Sequence, residues 1–478
     1  MGRDPNDILR EDGPEALRKT VDRNVIVIPF APHDDPSTEA ADAPDGSEEA
    51  IALKFASQKD QGLRYIAGLG RWFVWTGSHW QKDDIGEAFD AIRAFTREAA
   101  SIADGHRARQ LASAKTATGV EKLARVDPRL SARIDQWDRN LSILATPAGT
   151  IDLKTGRLRK ARPEDYITRC TTVAPDESGQ TPAQWLAFLD QITGGDTTIQ
   201  AYLQRFAGYC LTGETSEHVF AFLYGTGRNG KGTFARVISQ LMGSYAVNAN
   251  MEMLTEQKHA SHPTELAKLV GARLVTAQET EANRNWAAAR IKLITGGDPI
   301  DARFMRQDFF TYEPQFKLLL SGNHKPHLRH VDPAMKARLH LVPFAAYFGQ
   351  GKRNLDKQLI ADEGPSILSW MMEGTQLWYA DGLKVPSVIR ATTDEYFGSQ
   401  DLPGRWLDDT CIVDRTACES SAAAYASWKA WTEAQGETAG SQKAFSMSLT
   451  SKGFETIKLD ANTRGFRGFK LRTGGGAR

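Results

Sequence analysis

A short apolar run that ends at a glycine-rich loop constrains this chain more than any other feature of its sequence. The run spans residues 219–224, and the loop behind it reads GTGRNGKGT. Strand, glycine loop and helix is the arrangement that a phosphate-binding loop requires. The sequence therefore predicts an α/β fold with a nucleotide site at this loop. Four apolar residues after the loop recur at helical spacing: Phe234, Val237, Ile238 and Leu241.

The loop itself supplies the predicted contacts to ATP. Its glycines let backbone N–H groups point at phosphate oxygens, and the positive end of the following helix adds to the attraction. Lys231 would reach the β- and γ-phosphates. The predicted cofactor-binding residues are Gly225, Thr226, Gly227, Arg228, Asn229, Gly230, Lys231, Gly232 and Thr233.

One position of the loop departs from the usual pattern. A Ser or Thr normally follows the lysine and ligates magnesium, whereas here Gly232 intervenes and the hydroxyl belongs to Thr233. We therefore expect Thr233 or a water to hold Mg²⁺ on this side of the site.

Two later strands are predicted to complete the catalytic site. The stretch GARLVTAQETE at 271–281 ends in Gln278 and Glu279, and Glu279 is the predicted water-activating residue and second magnesium ligand. The stretch FKLLLSGN ends at Asn323, which would orient the lytic water between the lysine and the acid. The plain alternatives are an ordinary strand before a polar helix at 279 and a turn asparagine at 323.

Two further segments carry basic residues at informative places. Residues 300–305 and 309–312 flank Arg306-Gln307-Asp308, which predicts a hairpin with a charged tip. Arg338 directly precedes an apolar strand in DPAMKARLHLVPF. In ATPases that act as rings, such an arginine commonly reaches the γ-phosphate held by the adjacent subunit.

Composition excludes several other classes of protein. The 478 residues are 41% hydrophobic and 25% charged, which are ordinary globular values. No apolar run is long enough to span a membrane, and the amino terminus lacks the apolar core of a secretory signal. Residues 31–50 carry seven acids and no base, which predicts a flexible tail. Residues 440–478 carry eight bases and two acids, which suits either a polyanion or a solvated surface.

In order and spacing, these motifs resemble those of the superfamily-three helicases, and most closely the phage and plasmid primase–helicase group. The similar strings include GTGRNGKGT, ITGGDPIDARFM, LLLSGNHKP and DPAMKARLHLVPF. The region around TPAGTIDLKTGRLRKARPEDYIT is similar to the poxvirus- and phage-type domain that precedes the motor. The resemblance implies a mostly parallel AAA+ P-loop core flanked by helices, with an α+β amino-terminal domain and a small winged-helix domain.

The resemblance also implies a division of the chain. We expect an acidic flexible tail at 1–55, an α+β domain at 56–204 and the AAA+ motor at 205–350. A helical segment that packs on the motor would follow at 351–399, and a winged-helix DNA-binding domain at 400–478. Residues 60–82 carry three tryptophans around a turn signal and predict a β-hairpin with aromatic faces. Only about 50 residues precede this hairpin, which leaves no room for a primase domain, so a separate primase or polymerase is an expected partner.

The function that the resemblance implies is an ATP- and Mg²⁺-dependent replicative DNA helicase. A homo-hexameric ring would translocate on single-stranded DNA and part forked duplexes in the cytoplasm of a bacterial host, encoded by a phage, prophage or plasmid and without membrane contact. Lys231 and Thr233 would bind the triphosphate, Glu279 would activate water, Asn323 would sense the γ-phosphate and Arg338 would serve the neighbouring subunit. The implied DNA contacts are Arg303 and Arg306 in a pore hairpin, and Lys458, Arg464 and Arg467 in a basic wing.

Two other hypotheses remain open at this point. The chain could be an ATPase switch or replication initiator that assembles on DNA without processive unwinding, but the basic hairpin argues against a pure switch. It could also be a catalytically dead scaffold, which Gln278 and Gly232 mildly favour. Against that hypothesis stands the joint presence of four chemically suited residues: Lys231, Glu279, Asn323 and Arg338.

Overall fold

The computed structural model describes residues 43–256, 263–278, 285–305, 309–328, 332–349, 352–461 and 463–472. Most of the predicted acidic tail, together with Glu279 and Arg306, lies outside these residues. Within them, none of the helices combines the length and the apolar character that crossing a membrane requires.

The first helix of the described residues begins inside the segment that we expected to be a tail. Glu48–Lys59 forms α1, and the Ser47 hydroxyl accepts a backbone hydrogen bond at its start. The two glutamates of its first turn face the positive end of the helix, where negative charge is stabilising, and Phe55 is fully buried. The predicted boundary at residue 55 is therefore wrong, because the last acids of the acidic stretch begin a packed helix.

A small sheet and a layer of helices follow. The strands take the order β3-β2-β1-β4. Trp72 donates its indole N–H to Glu121 Oε1 at 3.1 Å, and the buried Trp80 donates to the Pro163 carbonyl at 2.8 Å, so both belong to the core. The elements are α2 (Glu87–Ser101), α3 (Gly105–Leu111), α4 (Ala114–Ala124), β1 (Leu63–Ile66), β2 (Arg71–Trp75), β3 (Trp80–Lys82) and β4 (Ser131–Ala132).

A three-stranded antiparallel sheet and two helices lead to the central part. The strands are β5 (Ile143–Thr146), β6 (Gly149–Asp152) and β7 (Arg157–Arg159), and the helices are α5 (Ala183–Thr193) and α6 (Thr197–Leu211). Gly194 ends α5 in a left-handed conformation at φ 63°, and the Asp196 carboxylate caps α6. The predicted boundary after residue 204 is wrong, because α6 continues as one buried helix to Leu211.

Five parallel strands form the central sheet in the order β14-β8-β13-β10-β9. Both faces are covered, since Ala221 and Leu223 of β8 pack in one apolar cluster while Phe220 and Phe222 pack in another. Burial on both faces is typical of parallel sheets flanked by helices, and it confirms the predicted α/β class. The strands are β8 (Phe220–Tyr224), β9 (Ala246–Asn248), β10 (Leu274–Gln278), β13 (Lys317–Gly322) and β14 (Leu339–Pro343).

Helices and one hairpin surround this sheet. The hairpin pairs β11 (Ile300–Ala302) with β12 (Phe310–Tyr312) in antiparallel register, as the sequence predicts. The helices are α7 (Lys231–Leu241), α8 (Pro263–Ala267), α9 (Ala288–Thr295), α10 (Pro333–Arg338), α11 (Leu355–Asp381) and α12 (Ser387–Gln400). A Cβ on Gly208 of α6 would lie 2.1 Å from the Thr375 backbone nitrogen of α11, so this glycine permits a close helix crossing.

The last described residues form a small α+β unit. Its sheet has the order β15-β17-β16, and Trp406, Trp428 and Phe445 pack in its core. Two helices and two strands lie beyond residue 420, and a helix and a long strand precede them. The elements are α13 (Leu402–Thr410), β15 (Cys411–Ser420), α14 (Ser421–Ala434), α15 (Gln442–Ser451), β16 (Glu455–Lys458) and β17 (Arg464–Leu471).

Candidate nucleotide-binding site

The glycine loop connects the carboxyl end of β8 to the start of α7. Gly230 caps α7 at φ 84°, and a Cβ there would lie 2.4 Å from Ile192 Cγ2 of α5. A Cβ on Gly225 would lie 2.0 Å from Asn229 Nδ2 and 2.4 Å from the Phe344 carbonyl oxygen. Close packing therefore requires glycine at both positions, and the positive φ of Gly230 favours glycine there as well.

Lys231 lies at the centre of the loop and is almost completely buried. Its Nζ donates to the Gly225 carbonyl at 2.7 Å, to Asn229 Oδ1 at 2.9 Å and to Asn323 Oδ1 at 3.1 Å. Burial lowers the pKa of this ammonium group, because removal from water penalises the charged form. All three of these partners are neutral oxygens, so an anion beside Nζ would stabilise the charge further.

The loop is tied to the segment that follows β14. Asn229 Nδ2 donates to the Phe344 carbonyl at 3.0 Å, and the Phe348 backbone N–H donates to the Arg228 carbonyl at 2.8 Å. The Arg228 guanidinium donates to the Gly349 carbonyl at 2.7 Å. The loop side chains that were predicted to contact nucleotide therefore fall into two groups. Arg228 and the Asn229 amide group hold the loop in shape, whereas Lys231 lies inside the loop.

Asn323 follows β13, the strand between the loop strand and the acid strand. Gly322 is in register with Tyr224, so Asn323 lies beside the first residue of the loop. On the other side of β13, Ser321 is in register with Gln278, the last residue of β10. The strand order thus brings Lys231 and Asn323 together. It places the end of β10, the predicted acid strand, on the side of β13 that faces away from β8. Glu279 itself lies outside the described residues.

A cavity of about 310 Å³ opens between α7 and the carboxyl ends of the strands. Its walls include Gly232 and Arg236 from α7, Gln278 from β10 and Ser321 from β13. The described residues offer no hydrogen-bond partner to the Ser321 hydroxyl or the Gln278 amide. Hydroxyl and amide oxygens are ligands that Mg²⁺ accepts beside phosphates and waters, so this donor set fits the ion.

The cavity bears on the predicted magnesium ligands. Gly232 lines the cavity and Thr233 does not. The prediction of Thr233 as a magnesium ligand therefore gains no support from the cavity. Sequence reasoning missed Ser321; its position two residues before Asn323, on the same strand, was the available signal. Among the described residues, no group of three or more His, Cys, Asp or Glu side chains could hold a metal.

Arg338 ends α10 at the opposite edge of the sheet. Leu339 is in register with Phe220, the first residue of β8, whereas the glycine loop follows the last. Four residues at about 3.3 Å each separate the two positions by roughly 13 Å along the strand. Arg338 Nη1 donates to the Ala334 carbonyl at 2.9 Å, and its buried Nε has no partner within the described ranges. This arginine cannot serve the loop of its own chain.

The β11–β12 hairpin presents aromatic and apolar side chains beside its charge. The Arg303 guanidinium lies 4.7 Å from the centre of the Phe309 ring, and Phe304 stacks on Phe310 at 5.4 Å. Phe309 is 61% exposed and Met305 71% exposed. Arg306 lies outside the described residues. Sequence reasoning missed Phe309, although its place next to a charged tip was visible.

The predicted basic wing is less basic than its sequence indicates. Lys458 and Arg464 face each other at the turn end of the β16–β17 pair, and both are exposed. Arg467, the third predicted contact, lies 3.4 Å from the Glu455 carboxylate across the same pair of strands. Part of its charge is therefore offset by Glu455.

The chain is similar to known protein families and to viral proteins. Residues 49–194 match the family model described as "D5 N terminal like", and residues 223–338 match a family of unknown function, DUF5906. The chain is 30% identical over 227 residues to "Putative helicase L207/L206" of Acanthamoeba polyphaga mimivirus. These matches support a phage-type primase–helicase family for the chain.

The relatives that this chain matches are much longer proteins. The mimivirus match covers 46% of this chain and 23% of that protein. "Putative helicase 121R" of Invertebrate iridescent virus 3 is 26% identical over 224 residues, which is 45% of this chain and 24% of that protein. The chain thus spans about a quarter of the length of these relatives, both of which are named as helicases.

Solved structures resemble this chain only distantly. The A-form apo structure of the NrS-1 C-terminal region has a TM-score of 0.49 at 9% identity, and covers 87% of this chain and 98% of that one. A second apo structure of the same region has a TM-score of 0.48, also at 9% identity, and covers 89% and 100%. TM-scores below 0.5 carry no information about the fold of this chain.

Proposed function

We propose that this chain is an ATP-dependent DNA helicase whose central domain is an AAA+ motor. The observation that carries the proposal is the buried Lys231 ammonium, held between the glycine loop and Asn323 at the carboxyl edge of a parallel sheet. Ligands of open α/β sheets bind outside the carboxyl ends of the strands. A triphosphate on the loop amides would bring its γ-phosphate to Lys231 and Asn323.

The chemistry follows from these positions. Lys231 would neutralise charge on the β- and γ-phosphates, and phosphoryl transfer depends mainly on positioning and such charge stabilisation. Asn323 Oδ1 accepts from Lys231, which leaves its amide N–H₂ to donate to a phosphate oxygen or to the attacking water. Glu279 would accept the proton of that water. Mg²⁺ would offset phosphate charge from the side of Ser321 and Gln278.

The position of Arg338 supports assembly into a ring. It lies too far from the loop of its own chain, whereas in a ring of copies this edge of one subunit could face the loop of the next. We therefore propose a homo-hexamer in which Arg338 contributes to the neighbouring site. An ion pair of 2.6 Å between Lys292 and Asp332 joins α9 to the first turn of α10, and so braces the helix that carries Arg338.

The proposed DNA path runs over the hairpin, with the carboxyl-terminal unit as a winged helix. Arg303 can pair with phosphates, and the exposed Phe309 ring offers a surface on which a base can stack. Lys458 and Arg464 would contact the duplex backbone without reading its sequence. A separate primase or polymerase, and a phage, prophage or plasmid origin in a bacterial cytoplasm, remain part of this proposal.

ATP turnover and strand separation test the function together. Hydrolysis is measured with and without single-stranded DNA, and unwinding is measured on forked duplexes that carry one tail at a time. We expect DNA-stimulated hydrolysis and ATP-dependent unwinding that Lys231→Ala abolishes. Hydrolysis without any strand separation would favour the alternative, a DNA-assembled ATPase switch or initiator.

A further inference from the structure

Arg236 lies on the phosphate-loop helix, one turn behind the loop. Side chains in a helix point back toward its amino terminus, so residue 236 reaches over residue 232. Its Nη1 lies 3.0 Å from the point where a Cβ on Gly232 would stand, and its Nη2 lies 4.0 Å from it. The guanidinium therefore occupies the space that a side chain at position 232 would need.

Position 232 is also where the loop departs from its usual pattern. A hydroxyl side chain normally stands directly after the lysine and faces the phosphates and their metal. Here Gly232 leaves that space to the Arg236 guanidinium, and both residues line the cavity beside Gln278 and Ser321. The Arg236 guanidinium therefore occupies the space that a hydroxyl side chain at position 232 would fill.

The guanidinium is anchored on one side and available on the other. Its Nε donates to Asp356 Oδ2 of α11 at 2.8 Å, and the Asp356 side chain is only 13% exposed. The Arg236 side chain is 54% exposed, and no acceptor among the described residues takes its Nη1 or Nη2 hydrogens. A guanidinium held by one edge in this way presents its other N–H groups as a fork suited to phosphate oxygens.

We propose that Arg236 is a phosphate-binding residue that contacts the bound nucleotide from the Gly232 side, in the place of the usual hydroxyl. This inference rests on the proposed nucleotide site. It differs from the role of Arg338, because Arg236 acts within its own chain. The competing explanation is that Arg236 only joins α7 to α11 through its ion pair with Asp356.

Equilibrium binding of a fluorescent ATP analogue to the full 478-residue chain tests the proposal. The variants are Arg236→Ala, Arg236→Gln, Lys231→Ala and, as a matched loss of charge, Lys357→Ala, which changes an exposed residue next to Asp356. Each is measured in excess Mg²⁺ and in EDTA, and thermal melting checks that each variant is folded.

We expect Arg236→Ala and Arg236→Gln to weaken binding about tenfold or more, the range of a lost charge-assisted hydrogen bond. The loss should be larger in EDTA, because a guanidinium holds phosphate without a metal. Lys357→Ala should bind as the wild type does. If both Arg236 variants bind within about twofold of the wild type while Lys231→Ala loses binding, the role of Arg236 is refuted and the nucleotide site stands. If the wild type itself binds no nucleotide, both fail.

Discussion

Lys231 and Asn323 are 92 residues apart in sequence, yet Lys231 Nζ donates to Asn323 Oδ1 at 3.1 Å. Their strands, β8 and β13, are neighbours in the parallel sheet, and Gly322 is in register with Tyr224. The contact fixes the orientation of the Asn323 amide, with its oxygen toward the lysine. Its N–H₂ group is left free of this contact, and both amide atoms lie 3.8–4.0 Å from the point where a Cβ on Gly227 would stand.

Asn323→Ala is expected to separate nucleotide binding from hydrolysis. Lys231 keeps its contacts to Gly225 and Asn229, so affinity for ATP should change by no more than a few-fold. Turnover should fall by a factor on the order of 10²–10³, the usual effect of removing one preorganised donor from a transition state. Steady-state hydrolysis and nucleotide titration measure the two effects, and wild-type turnover in this variant would refute the role of Asn323.

Arg338→Ala is expected to act on the neighbouring subunit. Neither Arg338→Ala nor Lys231→Ala should hydrolyse ATP alone, whereas mixtures of the two should regain turnover, because the intact loop of an Arg338→Ala chain then meets the intact Arg338 of its neighbour. Lys336→Ala is the matched control, since Lys336 is on the same short helix and pairs with Asp394 at 2.7 Å. No recovery of turnover in these mixtures would contradict a role in trans.

The hairpin should bind single-stranded DNA through two distinguishable contacts. Arg303→Ala should weaken binding and reduce the salt dependence of the affinity by about 0.7 in the log–log slope, as one lost phosphate contact does for a single strand. Phe309→Ala should weaken binding by about 1–3 kcal/mol with the slope unchanged, since base stacking releases no counterions. DNA-free hydrolysis should persist in both variants. An equal loss of hydrolysis and DNA affinity would remove the hairpin from this role.

His340 should make the fold less stable in mild acid. Burial, with a smaller contribution from Arg390, lowers the pKa of His340 from 6.5 to about 4, and its Nδ1 lies 2.8 Å from the Tyr202 hydroxyl. Between pH 6.5 and 4 the unfolded chain binds a proton that the folded chain does not, so stability falls as the pH falls. From pH 6.5 to 5 this amounts to about 2 kcal/mol.

Denaturant unfolding of the wild type and of His340→Gln at pH 7, 6 and 5 measures this effect. Glutamine cannot titrate, so the variant should lose less stability than the wild type over the same range. Identical losses in the two proteins would show that His340 contributes nothing to the pH dependence.

The sequence predicted those parts of the molecule that depend on local pattern. The glycine loop was recognisable because its glycines, its lysine and the flanking strand and helix are contiguous. Asn323 could be inferred because polar residues that follow parallel strands meet at one edge of the sheet. The α/β class and the β11–β12 hairpin followed from the same kind of pattern.

What the sequence could not predict depends on packing between distant segments. The reach of Arg236 over Gly232 depends on Asp356, which is 120 residues away, and the Glu455 carboxylate offsets Arg467 only through the pairing of β16 with β17. The predicted boundaries at 55 and 204 failed because acids at a helix start resemble a tail, and because a long helix shows no break in composition at the edge of a domain.

Calorimetric titration of ATP into the wild type and into Lys231→Ala tests the central claim most directly. The account predicts one ATP per wild-type chain and no measurable binding to Lys231→Ala, with the melting temperature of the unliganded variant within a few degrees of the wild type. Equal ATP affinity in the two folded proteins would contradict a triphosphate site at this loop.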